Sequence, residues 1–419
     1  MKRSLLLTSA LTLCVAVSIP AIASEKISAE KNAVKSDFEK ALLAGKPLFL
    51  SRYRYEYVDQ DGLEKNANAH TIVTRFGYET GVYKDLSALI EFEHLENLGG
   101  ERFNDTTNGK TNYPVVSDPE DTNLNRLTLA YSGIPDTKAI LGRQNIQLDN
   151  QRFVGGIAWR QNDQTFDALS LTNKSIQDTN FYYAYANQVN RVQGTNSPVG
   201  VWDNINIHLI NASYMGLPYG KLIGYSYLLD IPDSASSSNA TYGSRFEGKK
   251  KIDETFTGLL SLEYAHQTDY ANNPNDTNFN YYMVEPGIAF GQWKILSQYE
   301  HIEGNGTNAM QFSVGTNHAF NGWVDKFLTT PANGLIDMNI AVNYTIASDQ
   351  EWLNGARTMA RYHEFKAGKG SSHYGNEWNV FFEQTMYKHY TVGMQAGHYD
   401  ADNFATDTTK IMPYVQVKF

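Results

Sequence analysis

The residues of this sequence that could do the most chemistry lie between positions 141 and 171, "LGRQNIQLDNQRFVGGIAWRQNDQTFDALSL". The stretch interleaves guanidinium groups, carboxylates and amides: Arg143, Arg152, Arg160, Asp149, Asp163, Asp167, Gln144, Asn150, Gln151, Gln161, Asn162 and Gln164. Such groups form charge-assisted hydrogen bonds, which can brace a protein wall or contact a charged solute. The sequence therefore predicts a polar site here, and the surrounding elements must decide which use it has.

No catalytic arrangement accompanies these groups. The chain has 10 histidines, widely separated, and His373 in "SSHYGN" lies in a glycine-rich loop without a visible base and orienting group. The acidic segments 118–121 and 400–407 lack the ligand spacing of a calcium-binding loop. We therefore predict that the protein is not an enzyme, with no catalytic residue, no metal site and no cofactor.

The amino terminus predicts export from the cytoplasm. A basic start, "MKR", precedes an apolar run over residues 5–19 and the small-residue segment "AIA", which together predict a signal peptide over residues 1–23. Cys14 is the only cysteine, so the exported product can form no disulfide or thiolate metal site. Removing Lys2 and Arg3 with the signal leaves 33 basic and 45 acidic residues, a formal charge of −12. That balance argues against a nucleic-acid partner.

Residues 24–46 form the one helical-looking segment after the signal. Ser36 and Glu39 have capping-box spacing, apolar residues recur at helical intervals up to Leu42, and Gly45 with Pro47 would end the helix. We predict a short helical segment in the periplasm.

From residue 47 to residue 419 the hydrophobic period becomes two, which predicts β-strands. Over residues 336–346 one face is wholly apolar and the other carries Asp337, Asn339 and Asn343. The same alternation places apolar side chains on one face of residues 205–209 and 223–229. We predict about 18 strands, within a range of 16 to 18, in one all-β domain. Turn-rich segments of unequal length predict long loops at one rim and short turns at the other.

The amount of aromatic and apolar surface favours a transmembrane antiparallel barrel over a soluble sandwich. In "SRYRYEYV", Tyr53, Tyr55 and Tyr57 share one face, while Arg52 and Arg54 share the other with Glu56. A barrel turns its apolar faces to lipid and its polar faces, here including Arg126, to the lumen. The last strand, "IMPYVQVKF", ends in an aromatic residue. This end resembles the signal that the assembly machinery of Gram-negative outer-membrane barrels reads, so we predict that machinery and outer-membrane lipid as partners.

Between about residues 38 and 172 the chain resembles the alginate-export family of outer-membrane barrels. The resemblance is carried by "SRYRYEYVDQDG", "FGYETGVY", "VVSDPEDTNLNRL", "GRQNIQLDNQRFVGG" and "WRQNDQTFDA". It implies a monomeric channel of about 18 strands that exports an acidic polysaccharide through an arginine-rich constriction. On this basis Arg143, Arg152 and Arg160 are candidates for the constriction, and Asp149, Asp163 and Asp167 are candidates for their charge partners. The amides Gln161, Asn162 and Gln164 would lie beside them.

Several alternatives remain open at this stage. The charged set could brace the wall, select a solute, or do both. The mature chain is acidic, and Glu56, Glu91, Glu93, Glu263 and Glu285 fall on predicted lumen faces. An acidic lumen repels a polyanion unless a local basic ring attracts it, which favours porin-like uptake of small polar solutes as an alternative function. A non-conducting barrel for adhesion or envelope structure is the third hypothesis.

Overall fold

The computed structural model describes residues 36–419, so the predicted signal peptide and residues 24–35 lie outside the described residues. The described chain begins with helix α1 (Asp37–Leu43). Ser36 caps it in the predicted capping box: its hydroxyl accepts from the Glu39 amide at 3.2 Å, and its own amide donates to the Glu39 carboxylate at 2.6 Å. The predicted short helix is therefore confirmed, and no helix within residues 36–419 is long and apolar enough to span a membrane.

All the strands belong to one antiparallel sheet. Their bounds are β1 (Lys46–Gln60), β2 (Ala67–Glu79), β3 (Leu86–Asn97), β4 (Asp121–Ile134), β5 (Thr137–Gln144), β6 (Thr165–Asn173), β7 (Thr179–Asn190), β8 (Val201–Trp202), β9 (Asn206–Leu217), β10 (Gly220–Asp230), β11 (Asn239–Lys251), β12 (Phe256–Asp269), β13 (Asn278–Phe290), β14 (Trp293–Ile302), β15 (Leu335–Thr345), β16 (Arg357–Lys366), β17 (His373–Met386), β18 (Tyr390–Ala401) and β19 (Thr408–Lys418). β8 is a two-residue strand beside β7. The other strands form an 18-stranded wall, as predicted.

The wall closes on itself because β1 pairs with both β2 and β19. At this seam Arg52 lies opposite Gln416, and the backbones of Phe49 and Phe419 exchange hydrogen bonds of 3.3 and 2.9 Å. Closure pairs the edge amides and carbonyls that hydrocarbon could not solvate.

The predicted inside-out arrangement is present on β15. Ile340 is 49% exposed on the outer surface, whereas Asp337 on the inner face is fully buried and Asn339 beside it is buried too. On β1, Arg54 and Glu56 are likewise buried inside the barrel. Successive side chains of a strand point to opposite faces, so the alternating sequence is sufficient to place these residues.

The prediction was wrong for the apolar faces of β9 and β10. Ile207 and Leu209, and also Ile223, Tyr225 and Tyr227, are buried inside the barrel instead of facing outward. They belong to one hydrophobic cluster with Phe153 and Phe312. The ring centroid of Phe153 lies 5.3 Å from that of Tyr225 and 5.1 Å from that of Phe312. This half of the barrel interior is therefore a hydrophobic core, in which the aromatic rings remove apolar area from water.

Connections of very different length define the two ends of the barrel. Residues 98–120, 145–164, 191–205 and 303–334 connect strands at one end, here called the long-loop rim. Residues 135–136, 218–219 and 291–292 are tight turns at the other end, the short-turn rim, where α1 and Phe419 also lie. The predicted asymmetry between the rims is therefore present.

Two of the long loops fold into the lumen, and we call residues 145–164 inner loop A and residues 303–334 inner loop B. They join in a parallel bridge between Val154 and Val314. The Gly155 amide donates to the Val314 carbonyl, and the Thr316 amide donates to the Gln151 carbonyl, each at 2.9 Å. Their backbone polar groups thus satisfy one another inside the barrel.

Candidate functional site

Two arginines on the inner face of β1 hold inner loop A against the wall. Arg52 donates from Nε to Oε1 of Gln161 at 2.8 Å and from Nη1 to the Ala158 carbonyl at 3.0 Å. Arg54 donates to the Trp159 carbonyl, and its guanidinium lies 4.8 Å from the centre of the Trp159 ring. Because residues two apart on a strand point the same way, the spacing of the two arginines lets both reach the same loop.

Beyond these contacts lies a buried network of charges, which we call the septum cluster: Arg54, Arg160, Lys410, Glu56, Asp118 and Asp325. Arg160 is its centre. Its Nη1 lies 3.2 Å from Glu56 and 3.6 Å from Asp118, and its Nη2 lies 3.2 Å from Asp325. Three cations face three carboxylates, so the cluster is internally neutralised and ties inner loops A and B to the wall.

The loop residues of this cluster remain ionised near neutral pH. Burial alone would raise the pKa of Asp118, but Arg54 and Arg160 outweigh burial and lower it. His318 and Lys410 have the same effect on Asp325, whose pKa is also lowered despite its burial. Each carboxylate is thus held as an anion by the cations that it braces.

The rings of Trp159 and His318 separate two spaces within the lumen. They stack with centroids 4.7 Å apart and planes 7° apart. Nδ1 of His318 lies 2.6 Å from Asp325, and Nε2 lies 3.2 Å from Oε1 of Gln395. His318 lines a cavity on the long-loop side and another on the short-turn side. We call Trp159, His318 and the septum cluster together the septum.

The space above the septum, on the long-loop side, is a cavity of about 390 Å³, here called the upper vestibule. Arg160 and Lys410 line it, as do two further cations, Arg191 and Lys326. Among the described residues, neither Arg191 nor Lys326 has a carboxylate within salt-bridge distance. Burial, assisted by Lys410, lowers the pKa of Lys326 to about 8, so it is still largely cationic at neutral pH.

Below the septum two cavities of about 550 and 610 Å³ share Arg52, Ala158 and Gln416 in their walls and form the lower vestibule. Arg52 contacts only neutral acceptors there, since no salt bridge joins it to a carboxylate within the described chain. The lumen therefore has a neutral septum with unpaired cations on both sides of it.

The structure changes the predicted charge partners. Only Arg143 pairs with one of the predicted aspartates: its guanidinium grips Asp167 at 2.7 and 2.9 Å on the wall. The partner prediction was wrong for Arg160, which uses the septum cluster. It was also wrong for Arg152, which pairs with Glu300 at 3.1 Å. Those partners are distant in sequence, so the spacing within residues 141–171 could not indicate them.

The other two predicted aspartates have different neighbours. Asp163 pairs with Arg75 at 2.9 Å. Asp149 accepts from Asn211 at 2.7 Å, and burial raises its pKa. Neither aspartate neutralises the arginines of inner loop A that we predicted.

The remaining candidates brace the loop or the wall. Arg126 grips Glu91 at 2.8 and 2.7 Å on the wall. The amide of Gln161 donates to Thr71 at 2.9 Å, that of Asn162 to the Val192 carbonyl at 3.1 Å, and that of Gln164 to the Val314 carbonyl at 2.9 Å. These amide N–H groups are used within the protein, so they position inner loop A.

Sequence reasoning missed the groups that complete the septum and the upper vestibule. They are Asp118, Arg191, His318, Asp325, Lys326 and Lys410. Each lies outside residues 141–171, and five of them lie in loops without a periodic pattern. Only Lys410, a charge within the last alternating strand, carried a signal for a lumen position.

The fold has solved counterparts. No family model and no curated protein matches the chain. Acinetobacter baumannii OccAB4 superposes with a TM-score of 0.70 and 13% identity, over 90% of this chain and 98% of that one. Pseudomonas aeruginosa OpdK, solved with vanillate, gives 0.69 and 11% over 90% and 99%, and P. aeruginosa OccK3 (OpdO) gives 0.67 and 12% over 91% and 97%.

This chain has the fold of the Occ and Opd outer-membrane proteins. The resemblance to the alginate-export family was wrong, because the similar structures are Occ and Opd barrels. The motifs that carried the resemblance lie on β1, β2 and β4–β6, in loop 98–120 and in inner loop A. The predicted closed antiparallel barrel agrees with the fold of these neighbours.

Proposed function

We propose that the protein is an outer-membrane channel through which small hydrophilic anions are taken up passively. The observation that carries the proposal is the set of unpaired cations on either side of the septum: Arg191 and Lys326 above it and Arg52 below it. Residues exposed on the outer surface, such as Ile340 and Trp378, suit contact with lipid, and the closed wall leaves no unpaired edge.

Local charge, not net charge, decides which solutes enter such a channel. The whole chain has a formal charge of −10. Within the upper vestibule, however, Asp325 is already shared by Arg160, Lys410 and His318. Arg191 and Lys326, which have no carboxylate within salt-bridge distance among the described residues, therefore add positive charge in a narrow cavity whose walls focus the field. An anion entering from the long-loop side gains attraction that a cation does not.

The dimensions favour small solutes over a polymer. The upper vestibule holds about 390 Å³, and the stacked rings of Trp159 and His318 lie between it and the lower vestibule. A small ion needs only a local rearrangement of the septum to pass, whereas an extended chain needs the whole lumen to be open at once. The OpdK structure with vanillate, a small aromatic carboxylate, adds support from a barrel of the same fold.

Planar-bilayer recording tests the proposal. The purified barrel is inserted into a bilayer under a KCl gradient, and the reversal potential gives the ratio of chloride to potassium permeability. We expect stable open steps with anion preference. We also expect the double variant Arg191→Gln/Lys326→Gln to lose most of this preference, because it removes two unpaired charges without adding bulk.

The matched control is Lys110→Gln, which removes a cation that is already paired with Glu101 at 2.8 Å in loop 98–120, outside both vestibules. It should leave the reversal potential unchanged. Cation preference in the native barrel would contradict the proposal. A folded barrel that never conducts would instead favour the structural or adhesive alternative.

A further inference from the structure

A second cavity lies at the long-loop rim, above and beside the upper vestibule. We call it the mouth cavity; it holds about 550 Å³ and is enclosed by loops 191–205, 231–238 and 270–277 together with inner loop B. That volume is within the range of small-molecule binding sites. It shares Arg191, Ser313 and Asn317 with the upper vestibule, so the two cavities adjoin.

The chemistry of the mouth cavity differs from that of the vestibule below it. Its wall consists largely of serine and threonine hydroxyls and of asparagine and glutamine amides, and Arg191 is the one charged residue that residues 36–419 contribute to it. Arg191 stands at the boundary with the upper vestibule, where its guanidinium lies 4.2 Å from the centre of the Trp202 ring. The sequence of environments along the lumen is thus neutral and hydrogen-bonding first, then cationic.

Two polar atoms of the wall have no hydrogen-bond partner within the described part of the chain. The Thr277 hydroxyl forms no hydrogen bond within the described protein, and Thr277 is buried, with only 9% of the residue exposed. Oδ1 of Asn317 is buried and unpartnered as well, while its amide nitrogen donates to the carbonyls of Phe312 and Leu328. A buried polar atom without a partner is costly, so a ligand that bonds to these atoms recovers free energy.

Two other amide side chains of the wall are held in position by hydrogen bonds within the protein. Asn239 donates to the Ser237 carbonyl at 3.0 Å and to the Ser313 hydroxyl at 3.2 Å. Gln311 donates to the Thr330 carbonyl at 3.0 Å, and its oxygen accepts from the Thr330 amide at 3.1 Å. Since these side chains are fixed before any solute arrives, binding requires little further ordering.

We propose that the mouth cavity recognises the hydroxyl groups of its solute, and that the preferred substrates are small carboxylates bearing several hydroxyls. The hydroxyls bond to the neutral wall, including Thr277 and Asn317, while the carboxylate reaches Arg191. Hydroxyls both donate and accept, which matches a wall that presents both kinds of group. The inference rests on the proposed function for the passage of the anion, but the recognition of hydroxyls is separate from it.

Two six-carbon anions test the inference. Gluconate carries five hydroxyls and hexanoate carries none, yet both have one carboxylate. Each is titrated into the long-loop side of single channels in a planar bilayer, and the concentration that halves the chloride current is measured. We expect half-block by gluconate at a several-fold lower concentration than by hexanoate.

The variant Thr277→Val removes one wall hydroxyl while keeping the shape of the side chain. It should raise the half-blocking concentration of gluconate about threefold to tenfold, the effect of one lost hydrogen bond, and leave that of hexanoate unchanged. The matched control Thr406→Val removes a hydroxyl from loop 402–407, at the same rim but outside the mouth cavity, and should change neither value.

The outcomes separate the two proposals. An anion-selective channel that gluconate and hexanoate block equally would overturn the inference and leave the proposed function standing. Equal loss of gluconate block in Thr277→Val and Thr406→Val would also overturn it. If the barrel has no anion preference, the proposed function fails. Calorimetric titration of gluconate into the detergent-solubilised barrel then tests the recognition of hydroxyls separately. A binding heat that Thr277→Val weakens would support the inference, and the absence of a binding heat would overturn it.

Discussion

Replacing Arg160 with alanine should release inner loop A from the wall while leaving the barrel folded. Arg160 contacts Glu56, Asp118 and Asp325 and is buried. The backbone pairing of the wall does not depend on it, because Arg160 lies in a loop and each strand is paired with both neighbours. The predicted damage is therefore confined to the docking of the loop.

The magnitude follows from the partners that remain. Removing one member of a buried ion pair typically costs about 3–5 kcal/mol. In Arg160→Ala, Asp118 keeps Arg54, and Asp325 keeps Lys410 at 2.7 Å, so neither is left without a cation. We therefore expect the low end, about 3 kcal/mol, which raises the population of the undocked loop about a hundredfold.

Limited proteolysis measures this population. Chymotrypsin can cut at Phe153 or Trp159 only when the loop leaves the lumen, and mass spectrometry identifies cuts within residues 145–164. Heat-modifiable migration on a gel reports whether the wall is intact. We expect cleavage of Arg160→Ala to be about a hundredfold faster than that of the native barrel, with unchanged migration and a larger conductance because the septum opens.

Arg143→Ala is the matched control, since Arg143 forms its bidentate pair with Asp167 on the wall. It should not accelerate cleavage of inner loop A. Equal cleavage rates for Arg160→Ala and the native barrel would refute the reasoning, because the septum cluster would then contribute nothing to docking. Loss of the folded barrel would refute the separation of loop from wall.

Three further predictions concern pH, the outer surface and the seam. Burial and Lys410 lower the pKa of Lys326 to about 8, so Lys326 loses its charge as the pH rises through that value. The anion preference in bilayer recordings should therefore fall between about pH 7 and pH 9 in the native barrel. The same rise in pH should not lower the anion preference of Lys326→Gln. Ile340→Arg should destabilise the barrel by about 2–4 kcal/mol in guanidinium unfolding, as a cation placed against lipid does, whereas Asn343→Arg on the lumen face of the same strand should cost less. Deleting Phe419 removes its backbone hydrogen bonds to Phe49 at the seam and a ring that stacks on His389. The yield of folded barrel in the outer membrane should fall in the deletion variant, whereas Phe419→Tyr, which keeps an aromatic ring, should have the native yield. An unchanged yield after the deletion would show that assembly does not depend on this residue.

The sequence predicted the wall of the barrel more completely than it predicted the contacts inside the lumen. Ile340 and Asp337 were placed correctly because β15 carries an apolar face and a polar face. β10 also alternates, but the face opposite its apolar residues is small or neutral, including Gly224 and Ser226. Alternation separates two faces without saying which one meets lipid. On β10 the inner face is the more apolar because Phe153 packs against it.

The charged stretch shows the same limit at the level of single contacts. Its composition correctly indicated a polar, lumen-facing segment, yet Arg160 and Glu56 are 104 residues apart in the chain. Neither residue carries a local pattern that selects the other. Their contact forms only when β1 closes the barrel and inner loop A enters it.

The sequence by itself determined the capped helix, the number of strands and the closed antiparallel wall, and it predicts the export signal. These follow from local rules, since side-chain alternation, turn residues and backbone pairing act between neighbours in the chain. Only the tertiary structure decided which carboxylate meets which arginine, which interior face is dry, and where Arg191 and Lys326 stand unpaired. Those features depend on loops that fold into the lumen, where contacts join residues with no sequence relation to one another.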